Sequence, residues 1–481
     1  MLVSKYFKLG RNQATLDFLD VHIDKDIAVF VDPGAVRALK TEWGHHCVSL
    51  LQSYFDTVLE AIRNGQHVRA KELLASLSER NEFHLGFSKG KSQGHALGPV
   101  SAEKIWTSLI KSKAATTGLL QDLEDTILFV DGLGPDMLSD AVCNIIRGPL
   151  IEYTQQACNY YGIPLTKGVN SGPIWNPRDE KWENGLIELP MTRHGPVILI
   201  PKIIARVKQT YGADEYYRHF LMPVLQQHHK DINSSLVHVL KGKKNKGVKK
   251  VYKTSLYNLY GVDKLASARL TSDHPGALTN YRETKKATPS YPLDHIALAK
   301  LENVAPPDFS GLLDNVMQIK VGRDGAAAYE NAIEKLLSAL LYPSLAFPVK
   351  QDKIHDGRKR IDITYVNDAK VGFFNWVSMH YPASHIFVEC KNYGKEVGNP
   401  EVDQLAGRFS PSRGQVGILV VRSIQNKELL LKRCKDTTND RRGYILVLED
   451  SDLQELIGQR GAVNQGDGEN ILYKQFKALI S

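Results

Sequence analysis

Residues 385–395 read HIFVECKNYGK, an apolar, strand-like run that carries a glutamate and a lysine two positions apart, Glu389 and Lys391. Side chains on a strand alternate between faces. Ile386, Val388 and Cys390 therefore share one face and Phe387, Glu389 and Lys391 the other, with the two charges roughly 6–7 Å apart. One face packs a core, and the other presents a carboxylate beside an ammonium. Two readings are open at this point: an exposed ion pair on a solvated strand, or a charged pair that does chemistry.

The flanking segments supply more acids. Upstream, GRKRIDITYV alternates cleanly, with Ile361, Ile363 and Tyr365 on one face and Asp362 and Thr364 on the other. Before it, DGAAAYENAIEKLLSALLYP reads as a helix with Asp324 as N-cap and an end before Pro343. Its buried stripe is Tyr329, Ile333, Leu336, Leu337 and Leu340, which puts Glu330 and Glu334 one turn apart along its edge. Downstream, NPEVDQLAGRF reads as a helix that buries Val402, Leu405 and Phe409 and sets Gln404 and Arg408 on a second face. From Gly322 the predicted order is helix, strand, strand, helix, strand, strand, helix, an α/β domain of about 160 residues.

This set of residue types suits phosphodiester hydrolysis. Magnesium prefers hard oxygen ligands, and carboxylates from adjacent strands, here Asp362 and Glu389, can hold it while leaving positions for water and phosphate. Lys391 is placed to orient a nucleophile and offset developing negative charge. Repulsion between the two acids would be relieved by a shared cation.

A helix glutamate, a strand aspartate, ECK on the following strand and a glutamine-bearing helix resemble the PD-(D/E)xK phosphodiesterases, the restriction-endonuclease-like superfamily. FVECKNYGKEVGNPEVDQLAGRF followed by GQVGILVVRS is similar in particular to Mrr-type restriction nucleases and the nuclease domains of bacterial antiphage effectors, over residues 316–481. The resemblance implies a mixed sheet flanked by helices and a metal-dependent endonuclease using Mg2+ or Mn2+. It makes Asp362 and Glu389 metal ligands and Lys391 the catalytic lysine. Glu330 becomes a further acid from the first helix, and Gln404 a residue that positions phosphate or its neighbours. Glu334 is the substitute for Glu330, and Ile361 stands where the superfamily name has proline. The resemblance further implies DNA rather than RNA as substrate, products with 5′-phosphate and 3′-hydroxyl ends, and a role in antiphage defence. Enzymes of this fold that cut both strands work as dimers, so a homo-oligomer is one expectation, although no interface signature is visible.

The rest of the chain reads as follows. The 481 residues suggest more than one domain. Five scattered cysteines without a CxxC pair exclude a disulfide framework. There is no long apolar run and no signal-peptide pattern, so a cytoplasmic protein with no membrane partner is expected. The net charge of +8 permits a polyanionic partner. Residues 241–253, KGKKNKGVKKVYK, concentrate it: Lys241, Lys243, Lys244, Lys246, Lys249 and Lys250 are candidate phosphate contacts, with Arg408 beside the acids, and the two glycines suggest an irregular loop.

Residues 1–235 read as a helix-rich α+β sensing or nucleic-acid-binding domain, 236–315 as a basic loop and connector broken by prolines, and 316–481 as the nuclease-like domain. CVSLLQSYFDTVLEAI carries a helical stripe at Val48, Leu51, Phe55, Leu59 and Ile62, while DTILFVDG and GPVILIPKII look like strands. The glycines between Gly86 and Gly98, with Lys89 and Lys91, could approach a phosphate without matching P-loop spacing. Three rivals to a constitutive DNA nuclease follow: an effector silent until a nucleotide or protein trigger binds the N-terminal domain, a ribonuclease, and a non-catalytic nucleic-acid-binding protein.

Overall fold

Valine, isoleucine and leucine crowd the middle of a five-stranded mixed sheet in the C-terminal part of the chain. The protein is seen in a computed structural model that describes residues 1–77, 80–86, 99–112, 114–241, 245–288, 290–354, 356, 358–465 and 470–481. Numbering the elements of the C-terminal part, the strands are β1 (Leu345–Ile354), β2 (Lys359–Asn367), β3 (His385–Lys391), β4 (Val416–Val421) and β5 (Tyr444–Glu449), in that spatial order. The first three run antiparallel and the last three parallel. All six residues of β4, VGILVV, are buried, as a central strand covered on both faces requires.

The covering helices are α1 (Ala326–Leu340), α2 (Gly372–His380), α3 (Asn399–Ala406), α4 (Lys427–Asn439), α5 (Asp450–Gly458) and α6 (Ile471–Ile480). Helix α1 lies against β1 and β3 and buries the stripe read from its sequence, Tyr329, Ile333, Leu336, Leu337 and Leu340. Parallel neighbours need a crossover, and α3 and α4 provide the two between β3, β4 and β5. The order after β3 is therefore strand and helix in alternation, not strand after strand. The helical start also differs: Asp324 lies in a 3-10 turn, Arg323–Gly325, and Gly325 is the N-cap, with no side chain capping it. The backbone there folds so tightly that a Cβ on Gly325 would stand 2.2 Å from the Lys320 carbonyl oxygen.

The chain has two hydrophobic cores. One holds the C-terminal sheet and its helices. The other runs from Val3 to Leu298 and takes in Tyr342 and Ala346 from the C-terminal part. In it the Glu42–Arg63 helix buries Leu51, Phe55, Leu59 and Ile62 and half-buries Val48. DTILF is a helix, Asp125–Phe129, where a strand is expected; a run of four apolar residues, Ile127 to Val130, fits either element. Nor is GPVILIPKII a strand beyond Gly195–Pro196. Among the described residues it finds only an isolated bridge, Pro201 to Phe18, and its backbone is otherwise stitched singly: Ile198 N–H to the Glu82 carbonyl (2.8 Å) and Leu199 N–H to Thr154 Oγ1 (2.9 Å), with a 3-10 turn at Lys202–Ile204.

Residues 236–315 are more than a connector. The prolines fall between helices, at Lys253–Tyr260, Lys264–Asp273, Gly276–Ala287 and His295–Glu302, and Leu256, Leu270, Leu278, Tyr281 and Leu298 join the first core. The lysine run likewise holds regular structure: Lys249–Lys250 pairs antiparallel with His238–Val239.

A buried ion pair crosses between the two parts. Arg11 grips Glu334 of α1 with both guanidinium ends, one of them Nη1 to Oε1 at 3.1 Å. Lys350 of β1 adds a contact at 3.3 Å, and the Glu334 side chain has no exposed surface. Burial alone would push this carboxyl up; the charge of Arg11 beside it overrides that and holds its pKa below the ordinary value. Removing one partner of such a pair strands a charge in low dielectric, so Arg11→Ala should lose about 3–5 kcal/mol in denaturant unfolding at pH 7. Because the folded-state pKa is depressed, the wild type should lose this contribution as pH falls through it, and the variant should not.

Candidate active site

The ladder between β2 and β3 stops at Ile363↔Val388. The next residues in register are Asp362 and Glu389, on the face shared by Phe387 and Lys391. Here the two strands part, while β3 stays paired with β4 through Lys391↔Val421. In place of a strand carbonyl, the Cys390 N–H meets Asp362 Oδ2 at 2.9 Å, so the parting of the strands is also what aims the aspartate.

Glu389 is 1 % exposed, so the charged pair is no surface ornament. Lys391 Nζ donates to Glu389 Oε1 at 2.8 Å and to Gln404 Oε1 on α3 at 3.1 Å, and Gln404 Nε2 donates back to Glu389 Oε1. The three side chains form a closed ring across β3 and α3. The second carboxylate oxygen, Glu389 Oε2, is buried and has no hydrogen-bond partner among the described residues.

Burial pushes the Glu389 carboxyl up, and the neighbouring charge of Asp362 pushes it further, against the pull of Lys391. Asp362 is likewise raised by burial, opposed by the Cys390 N–H and by the charges of Lys391, Arg360 and Arg408. Glu330 reaches the same neighbourhood from α1. Burial raises it too, Asp362 adds to the rise, and Gln351 Nε2 donating to Glu330 Oε1 at 2.6 Å holds it down.

Five sequence candidates thus converge to different degrees. Glu389, Lys391 and Gln404 are in one hydrogen-bonded ring; Asp362, held by the Cys390 N–H, is coupled to Glu389 and Lys391 through charge, and Glu330 to Asp362 likewise, each without a direct bond. Its substitute, Glu334, is committed to Arg11 and Lys350, which leaves Glu330 as the acid of α1 that faces this region. Arg408 lies just past α3 and its charge acts on both Asp362 and Glu389. Lys359 Nζ, donating to the Gly407 carbonyl at 2.9 Å, ties the start of β2 to that same turn. Lys241, Lys246, Lys249 and Lys250 are exposed on or beside the hairpin of His238–Val239 and Lys249–Lys250, and among the described residues none of them is bonded to the cluster. Lys243, Lys244 and the glycine-rich segment 87–98, including Lys89, Lys91 and Gly98, lie outside the described residues.

Two contributors are invisible in the sequence pattern. Gln351 sits at φ 52° in β1, beyond a bulge between Ala346 and Val349. A non-glycine residue in that region is strained by about 1–3 kcal/mol, and here it presents its amide to Glu330. The other is Cys390, read as a core residue, whose backbone rather than thiol serves the site. Among the described residues no group of three or more His, Cys, Asp and Glu side chains is gathered as a ready cation site.

A sequence family described as a domain of unknown function (DUF8370) matches residues 8–212, within the first core and short of the cluster just described. No curated protein matches the chain, and no solved structure does.

Since the folded-state pKa of Asp362 is raised, its ionisation costs stability above the unfolded pKa of about 3.9. Asp362→Asn keeps an oxygen for the Cys390 N–H and removes the charge. In chelator at pH 7 it should melt higher than the wild type, with the gain vanishing as pH falls toward 4; a lower melting temperature at pH 7 would contradict the cost of burying this charge beside Glu389.

Proposed function

We propose that residues 316–481 hydrolyse phosphodiester bonds, with DNA as substrate and magnesium or manganese as cofactor. The observation that supports this best is the meeting of Asp362, Glu389, Lys391 and Gln404 where β2 and β3 part. Two strand carboxylates, one with a buried oxygen lacking any partner, fit a hard divalent cation that keeps most of its ligands as water and phosphate. Asp362 and Glu389 would hold it. When bound, such a cation polarises the phosphate and makes hydroxide available near neutral pH.

The chain's own groups do the rest. The Cys390 N–H orients Asp362, and Gln404 holds Glu389 and Lys391 in one plane of contacts. The Lys391 ammonium, pinned between two acceptors, orients the attacking water and offsets charge developing on the phosphate oxygens. Arg408 and Arg360 add positive charge where a backbone phosphate would approach the acids. The similarity to Mrr-type nucleases extends the proposal to 5′-phosphate and 3′-hydroxyl ends and to antiphage defence; these rest on analogy.

A gated form of the same activity is favoured by one specific feature. Arg11, from the first core, is bonded to Glu334 one turn along α1 from Glu330. Movement of the first core would thereby be felt by the helix that carries the outermost acid.

The test is cleavage of labelled plasmid, linear duplex, single-stranded DNA and RNA in one series. Lys391→Ala and Asp362→Ala should each lose about 100-fold or more, Gln404→Ala about 10–100-fold, and chelator should abolish the activity. Preferential loss of RNA would turn the reading to a ribonuclease. Cleavage that survives both Lys391→Ala and Asp362→Ala would remove this site from the chemistry.

A further inference from the structure

The loop after β2 meets the first core at a second concavity, far along the strand from Asp362. It encloses about 260 Å³ and is lined by five cations, Arg37, Lys40, Lys285, Lys286 and Lys370, together with Tyr211 and small residues. No acidic side chain lines it among the described residues. The cations come from three separate stretches: Arg37 and Lys40 from the N-terminal part, Lys285 and Lys286 from the Gly276–Ala287 helix, and Lys370 from the loop after β2.

Three of the five are already partnered from outside the pocket. Arg37 pairs with Glu124 at 2.6 Å, Lys285 with Glu215 at 2.7 Å and Lys370 with Asp368 at 3.0 Å. Lys40 and Lys286 have no carboxylate within ion-pair distance among the described residues. Lys40 Nζ donates to the Ala369 carbonyl at 2.9 Å and to Asn375 Oδ1 at 3.4 Å, and burial together with the nearby charge of Lys370 lowers its pKa against the opposing charge of Asp368. A concavity lined by five cations and no acid, two of the cations without an ion-pair partner, holds surplus positive charge that a multiply charged oxyanion would neutralise.

We propose that this pocket binds a compact polyphosphate group, two or more linked phosphates, at the seam between the two parts of the chain. Clustered charge in a small pocket suits linked phosphates, whereas a nucleic-acid strand spreads single charges along a groove. The site also touches the joint itself. The Lys40 N–H donates to Asp368 Oδ1 at 2.8 Å, and Lys370 Nζ donates to the Ala38 carbonyl, so each part holds the other through the lysines that line the pocket. A ligand drawing on Lys40 and Lys370 would act on the loop that follows the strand carrying Asp362.

The experiment is calorimetric titration of the full chain with sodium triphosphate, pyrophosphate, ATP and a twelve-nucleotide single-stranded DNA, at physiological salt. Lys286→Ala, an exposed position, and Lys286→Ala with Lys40→Met serve as variants, with melting temperature as the control for folding. Triphosphate or ATP should bind, weakened about 10-fold by Lys286→Ala and about 100-fold by the pair. Triphosphate binding as tightly as ATP would mark a free polyphosphate, and ATP binding tighter would mark a nucleotide tail. The proposal is overturned if no phosphate compound binds the wild type, if the variants bind as well as the wild type, or if the oligonucleotide displaces triphosphate. Binding is read without cleavage, so its failure and that of the hydrolytic reading are separate results.

Discussion

Strand β3 is covered on both faces, and every charge on it has to be satisfied within the protein. Glu389 could not be accommodated there by solvent, as an acid on an edge strand would be. The surrounding structure answers this need in three places. Lys391 supplies the counter-charge two residues on, Gln404 reaches down from α3 to the same oxygen, and β2 turns away so that Asp362 meets a backbone N–H instead of a ladder partner. One oxygen, Glu389 Oε2, remains without a partner. Burying a polar atom in that state is unfavourable, and such atoms persist where a ligand or a reaction uses them.

The seam between the two parts carries as much polar organisation as the cluster. Arg11 and Glu334 meet there in a nearly dry environment. Elsewhere on it, Lys202 is fully buried, lies over the Tyr342 ring at 4.1 Å, and has its pKa lowered to about 8, chiefly by desolvation. Buried ionic contacts of this sort add little net stability over apolar packing, but they tolerate only one relative placement of the groups that make them. Helix α1 is the element most exposed to that constraint, since Glu334 faces the first core while Glu330, one turn earlier, faces the acids of the sheet.

Several features of the fold follow from short-range pattern. The stripe of α1, the alternation of β2 and β3 and the apolar run of β4 each name their element through a period of about 3.6 or 2, or through the length of a fully buried strand, and the structure has all of them. The same logic misread DTILF and GPVILIPKII, because a short apolar run says that a segment is buried without saying which hydrogen bonds its backbone finds. It also mistook prolines at helix boundaries for breaks in a connector, since whether the intervening helices dock on a core is settled by residues distant in sequence.

For the site, the sequence by itself determined the cast: an acid on each of two neighbouring strands, a lysine two residues after the second, and a glutamine on the helix that follows, all placed by periodicity. Only the tertiary structure decided how they are used. Register across two strands puts Asp362 beside Glu389, and an ion pair from 323 residues away takes Glu334 out of contention and leaves Glu330. A strained backbone at Gln351 holds that glutamate. The physical reason is range: side-chain periodicity is local, whereas desolvation and charge coupling depend on what the folded chain brings within a few ångströms.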